Sequence, residues 1–277
     1  MTNRWLRITA ATLIAGLILG GFAVAQTANE ILDRMDEEAE RMLGDGMIVV
    51  LGIHNESDDK TSTDRKMGIL QAPNKSLSYF IEPWDWEGSI ILSVTAQDEE
   101  GKTKTRIWFY VPLVYPEGKE LINEEERSQG FADSAMSMER MAEEDTRNDD
   151  YDSTLIGQET LTIGDQERTA YVIESIAIPD ADVDETRSVM WVDAEAYVML
   201  KVEGYNELGV RTTTMNVLEL GEFEGTLVTD VIHVDSRTAG VISTYTILEQ
   251  RRVEGGFPEG VFDSANLPAF DPSEWGF

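Results

Sequence analysis

The chain contains no cysteine. That absence excludes disulfides, thiolate metal sites and cysteine nucleophiles together, and leaves no residue on which a lipid anchor could be built. Histidine is almost as scarce. Only His54 and His233 are present, so a His-based triad or a two-histidine metal site would need residues far apart in sequence. Both fall within or beside segments that read as strands, where a polar residue on the water-facing side is the ordinary outcome. Positive charge is the third shortage: Lys and Arg number 22 against 53 Asp and Glu, a formal net charge of −31. Such a surface repels phosphate backbones and anionic membranes, which argues against nucleic-acid partners. The acids are spread along the whole chain, as in proteins of a salty milieu where counter-ions screen self-repulsion.

Chemical motifs are missing as well. No P-loop, dinucleotide fingerprint, G-x-S-x-G or H-E-x-x-H occurs. Asp180-Ala-Asp182-Val-Asp184 begins like a calcium loop, but Glu185 stands where the sharp turn demands glycine, and Trp191 where the bidentate glutamate belongs. Met136, Met138 and Met141 have no His or Cys nearby in the sequence, so they read as apolar filling rather than soft-metal ligands. No catalytic residue, metal or cofactor is assigned, and the chain is not expected to be an enzyme.

Long hydrophobic runs are absent with one exception. Arg4 and Arg7 precede an apolar stretch from Ile8 to Ala23, and Ala23-Val24-Ala25 supplies the small-x-small pattern of a signal-peptidase site. The run is short for a membrane span, and polar Gln26 and Thr27 follow it directly. Residues 1–25 therefore read as a cleaved export signal. Its two arginines are unaccompanied by acid, so cleavage takes the net charge from −31 to −33.

The rest is one domain, 26–277. Thr27 to Leu43 reads as an amphipathic helix: Ile31, Leu32, Met35, Ala39, Met42 and Leu43 recur at the helical period, Thr27 and Glu30 form a capping box, and Gly44 ends it. Period-two alternation then takes over, in Met47–Ile53, Leu77–Ile81, Ile90–Ala96 and Thr103–Val111, and again in seven segments from Thr160 to Gln250. Lys119 to Asp152 lacks alternation and reads as a short helix and loop. About 257–277, with its prolines and aromatics, reads as an extended tail, packed at first and frayed at the end. Ten or eleven strands with few helices predict a mainly β (α+β) fold, a single antiparallel sheet that curls.

Alternation selects the inward residues. Ile107, Phe109 and Val111 oppose Lys104 and Arg106; Val198, Leu200 and Val202 oppose Lys201 and Glu203; Ile90, Leu92 and Val94 form a third apolar stripe. These nine residues are either an ordinary filled core or the lining of a face that holds an acyl chain. Periodicity does not separate the two.

The order of motifs resembles the LolA-like outer-membrane lipoprotein-sorting proteins. The resemblance rests on Arg106-Ile-Trp-Phe-Tyr-Val-Pro112, the segment Phe131 to Met141, Asp150-Tyr151-Asp152, Leu155-Ile-Gly157-Gln-Glu159 and Tyr171-Val-Ile-Glu174. Trp191-Val-Asp193, Leu200-Lys-Val-Glu203 with Tyr205 and Gly209, and Phe262 to Leu267 continue it. The middle segment departs from the pattern: Asp133 replaces a glycine, Met136 and Met138 replace two aromatics, and Arg140 replaces an acid. The resemblance implies an incomplete, LolA/LolB-like β-barrel around helices. It also implies a monomeric periplasmic carrier of lipoprotein or lipid acyl chains, extracellular if the host lacks an outer membrane, with an inner-membrane transporter as a further partner. A non-enzymatic sensor or adaptor is the alternative on the same fold.

Overall fold

The computed structural model describes residues 26–59, 61–97, 103–127, 130, 133–137, 150–179, 181, 183 and 185–277. The proposed export signal, the acidic stretch Asp98–Gly101 that sequence reads as the turn between Ile90–Ala96 and Thr103–Val111, the first residues of the calcium-like loop and Met138 and Met141 lie wholly or partly outside them.

Helix α1 (Ala28–Leu43) forms where the apolar period places it. Thr27 accepts a hydrogen bond from the Glu30 amide while Glu30 reaches back to the Thr27 amide, and Gly44 closes the helix at positive φ. Ala28, Ile31, Leu32 and Met35 are its buried stripe, packed on Ile173 and Val192.

Thirteen strands follow among the described residues: β1 (Met47–Ser57), β2 (Ser62–Ala72), β3 (Lys75–Glu82), β4 (Ile90–Gln97), β5 (Thr103–Val111), β6 (Tyr115–Glu120), β7 (Tyr151–Ile163), β8 (Gln166–Ala177), β9 (Arg187–Asp193), β10 (Met199–Tyr205), β11 (Arg211–Phe223), β12 (Thr226–Ser236) and β13 (Val241–Arg252). They make one antiparallel sheet in the order β6-β5-β4-β3-β2-β1-β13-β12-β11-β10-β9-β8-β7. The sheet is open, because β6 and β7 end it without pairing to each other. Only the β1–β13 pairing joins strands distant in sequence, and it welds an N-terminal half to a C-terminal half.

Two strands escape the sequence pattern. Ser62–Ala72 begins with Ser-Thr-Asp-Arg-Lys and carries Gly68, so its polar half hides the alternation. Tyr115–Glu120 is an edge strand containing Pro116 and Gly118, residues that blunt an edge against further pairing. Among the described residues, the expected helix between the sheet halves is a single turn, α2 (Glu124–Arg127). Among the described residues the sheet carries α1 on one face and is not wrapped around several helices.

The tail does not fray. Two 3-10 turns, Ser264–Ala269 and Pro272–Trp275, are capped by Asp263 and Asp271, and the chain runs on to Phe277. Phe257, Phe262, Leu267, Phe270, Trp275 and Phe277 pack on Ile48, Leu70, Leu77, Ile90 and Leu92. The Phe277 ring stacks with Tyr79 and fills the notch left by Gly68, where a Cβ would overlap it. The N-terminal half of the sheet is thus apolar on both faces, and the tail covers the outer one.

Candidate functional site

On the inner face of β1–β5, cross-strand neighbours Leu51 and Met67, Met67 and Phe80, and Ile91 and Phe109 line up in register. Their side chains join Ile53, Ile107, Val202, Met215, Val234 and Tyr245 in one cluster that spans both halves of the sheet. Trp86, from the β3–β4 loop, lays its ring 4.8 Å from Phe80 and 6.2 Å from Phe109.

A short segment lies on this face. Gly130 and Ser137 form an isolated antiparallel bridge, and between them Ala135 and Met136 touch the cluster. Hydrogen bonds hold it there: Tyr245 Oη donates to Ser134 Oγ at 2.7 Å, and the Ala135 amide donates to Ser243 Oγ at 2.8 Å. Ser243 in turn donates to Asn55 Oδ1 at 2.7 Å. Ser134, Ser243 and Asn55 are all buried, so each needs the other. Burial pushes the Tyr245 phenol above its ordinary pKa, which keeps its proton available to Ser134.

One cation belongs to the same face. Arg65 on β2, opposite Ile53, has a side chain only 8% exposed. Its Nη2 donates to Asp133 Oδ2 at 3.0 Å, Nη1 reaches the Asp64 carbonyl at 3.4 Å, and its guanidinium lies 5.4 Å from the Trp86 ring centroid. Among the described residues, Nε has no hydrogen-bond partner. Asp133 is solvent-facing and sits at positive φ.

At this end of the sheet the loops after β3 and β5 touch: a Cβ on Gly88 would lie 3.4 Å from Pro112 Cγ. They display Trp84, Leu113 and Val114, which are 85%, 96% and 62% exposed.

The nine residues selected from sequence do not form one patch. Ile107, Phe109 and Val202 meet in the inner cluster. Ile90, Leu92 and Val94 point the other way, beneath the tail with Trp108 and Tyr110. Leu200 lies at a register shift in β10 and joins a separate cluster around Trp191 and Val217. Val111 and Val198 are half-buried at strand ends. Sequence reading missed Arg65, Trp86, Ser134, Ser243 and Tyr245. The one available signal was an arginine flanked by apolar alternation in Arg65-Lys-Met-Gly-Ile.

The two histidines, remote in sequence, fall in one cross-strand row on either side of Thr244. His54 pairs with exposed Asp64, which raises its pKa, and His233 Nδ1 lies 3.3 Å from Thr244 Oγ1. Among the described residues no three His, Asp or Glu side chains gather as a metal site. No helix among them is long and apolar enough to cross a membrane.

A family model described as "Uncharacterized protein" matches residues 72–269. No curated protein matches the chain. Solved structures do. A DUF1329 family protein from Desulfovibrio piger superposes with a TM-score of 0.73 at 17% identity, covering 86% of this chain and 96% of that one. A domain assigned to outer membrane lipoprotein sorting in Vibrio parahaemolyticus gives 0.67 at 19% identity, with 86% and 99% covered. A LolA superfamily protein from Nitrosomonas europaea gives 0.64 at 21%, with 86% and 98% covered. At these identities the likeness is one of fold.

Proposed function

This chain belongs to a LolA-like family, and from that membership we propose that it is a non-enzymatic periplasmic carrier of acyl chains, exported by cleavage after Ala25. The observation that carries this reading is the cover on the inner face. A continuous apolar surface of Ile53, Met67, Phe80 and Ile107 is closed by Ala135 and Met136, on a segment held by a few hydrogen bonds. Lifting that segment would bare the surface without breaking a strand pairing. Each methylene moved from water onto such a surface is stabilised by about 0.8 kcal/mol, so part of one acyl chain suffices for firm binding. A carrier must also release, and a segment that returns to fill the face provides the competing state.

Native mass spectrometry of protein purified from its own host tests this directly, alongside titration with a fluorescent fatty acid. Bound lipid, or saturable probe binding, is expected. Protein that is consistently empty and also fails to bind the probe sinks the carrier reading.

A second reading draws on a different observation, the exposed tip of Trp84, Leu113 and Val114. Apolar side chains so fully in water suit contact with a membrane-embedded partner, as a sensor or adaptor would make. Photo-crosslinking from position 113 that recovers one integral membrane protein, from a chain that binds no lipid, favours that reading over the carrier.

A further inference from the structure

Arg65 is an expensive residue to place where it lies. A guanidinium nine-tenths buried beside Trp86 must be compensated by hydrogen bonds and a counter-charge. Two other arginines, one largely buried and one half exposed, show the full Nε/Nη2 edge at work. Arg168 grips Asp193 with Nε at 2.7 Å and Nη2 at 2.9 Å, and Arg106 grips Glu120 with both at 2.7 Å. Arg65 uses half of that edge. Nη2 is taken by Asp133, while Nε, on the same edge, is buried and finds no acceptor among the described residues. Among the described residues its counter-ion is therefore a single-point contact, from a solvent-facing side chain on the segment that covers the inner face.

Building on the carrier reading above, we propose that Arg65 is the head-group anchor of the inner face. It takes a two-oxygen anion, carboxylate or phosphate, attached to the acyl chain, and Asp133 occupies that place when the face is closed. A carboxylate or phosphate presents the paired oxygens that a guanidinium edge matches. Its chain would run over Met67 and Ile53, the inner-face neighbours of Arg65 on its own and the adjacent strand. An ester-linked acyl chain on a modified protein carries no such anion. The preferred cargo is accordingly a free anionic amphiphile. The strongly acidic surface opposes its approach at low ionic strength, so binding strengthens with salt until that repulsion is screened.

The experiment uses the full mature chain in high salt, with displacement of a fluorescent fatty acid as readout. Competitors come in matched pairs: palmitate against cetyl alcohol, and lysophosphatidic acid against monoacylglycerol. The anionic member of at least one pair is expected to bind about tenfold tighter than its neutral partner, the scale of one charged hydrogen-bonded contact. The two pairs distinguish carboxylate from phosphate. Arg65→Gln erases the preference, and neutral binding rises, because the Arg65–Asp133 hold on the cover is lost with it. Asp133→Asn keeps Arg65 and tolerates positive φ, and it raises affinity for the anion more than for its neutral partner, since it frees Arg65 as well as loosening the cover. Should Arg65→Gln fail to fold, Asp133→Asn still decides. Equal binding within both pairs, unchanged by Asp133→Asn, overturns the anchor but leaves the carrier standing. Failure of every competitor and of the probe overturns both.

Discussion

Replacing Tyr245 with phenylalanine tests whether the segment on the inner face opens apart from the rest of the sheet. The substitution removes one hydroxyl from the buried face and leaves the ring packed among Leu51, Ile53 and Val234. It takes away the 2.7 Å bond to Ser134 Oγ, and Ser134 is 1% exposed. The remaining contacts of that hydroxyl, to the Met136 backbone, are long at 3.4 Å. A buried hydroxyl left without a good partner costs about 1–2 kcal/mol, which corresponds to roughly a tenfold change in an opening equilibrium. If opening is local, that change appears at the Ala135 amide, whose acceptor is Ser243 Oγ at 2.8 Å. Hydrogen exchange at Ala135 should accelerate about tenfold while amides in the β1–β13 ladder hold their rates. Affinity for an acyl probe should rise by a similar factor, because the closed state is what competes with binding. Equal acceleration at Ala135 and in the ladder would mean that the segment moves only when the sheet unfolds, and the proposed cover would then be ordinary core.

The buried Arg168–Asp193 pair gives a stability test: Asp193→Ala leaves a partly buried guanidinium with only the long contact to exposed Glu195 at 3.4 Å and should remove about 3 kcal/mol, read as a lower urea midpoint. Asp193→Asn should cost less, since its side-chain oxygen can still accept the Glu195 and Ala196 amides. Acid should destabilise the protein through the same residue. Burial raises the Asp193 pKa, but Arg168 and the two amides outweigh it and hold the group below its ordinary value. Its contribution is then present above the unfolded carboxylate pKa and lost as pH falls through the lower folded one. Glu203 is likewise held low, by Lys201 and Tyr205 against burial, and adds to the loss. In Asp193→Asn the acid limb of the stability profile should flatten. Finally, Gly68→Ala should displace the Phe277 ring and cost about 1–3 kcal/mol, with Tyr79 fluorescence or limited proteolysis of the tail reporting the change.

The sheet was legible where one face meets water. In β9 and β10 alternation gave the strands almost to the residue, and α1 followed from its capping box and stripe. The N-terminal half was harder for a physical reason: it is covered on both sides. Ile90, Leu92 and Val94 alternate as cleanly as Ile107 and Phe109 do, yet they face opposite sides of the sheet. Period two says which residues share a face and not which face it is. Trp108 and Tyr110 share a face with Arg106, so they read as the wet side, until the tail covers them. Leu200 was displaced by a register shift that no alternation predicts. The polar members of the inner face were invisible for a different reason. Asn55, Ser134, Ser243 and Tyr245 come from three separate stretches of sequence and acquire meaning only through one another.

The two covers of this sheet differ in what holds them, and that difference decides which can lift. The tail buries Leu267 and packs Phe257, Phe262, Phe270, Trp275 and Phe277 on the outer face, with a ring seated in the notch of Gly68. Large apolar side chains contribute about 1.5–3 kcal/mol each when fully buried, and even partial burial of five aromatics outweighs any few hydrogen bonds. Among the described residues the inner segment sets against this Ala135 and Met136, a few hydrogen bonds and the Arg65–Asp133 pair. Neutral hydrogen bonds contribute about 1 kcal/mol net. The outer cover is therefore part of the fold, and the inner one is, on the proposed reading, a competitor for the surface beneath it. An acyl chain that buries a few methylenes against Phe80 and Met67 matches what the segment offers there, which places exchange between the two within thermal reach.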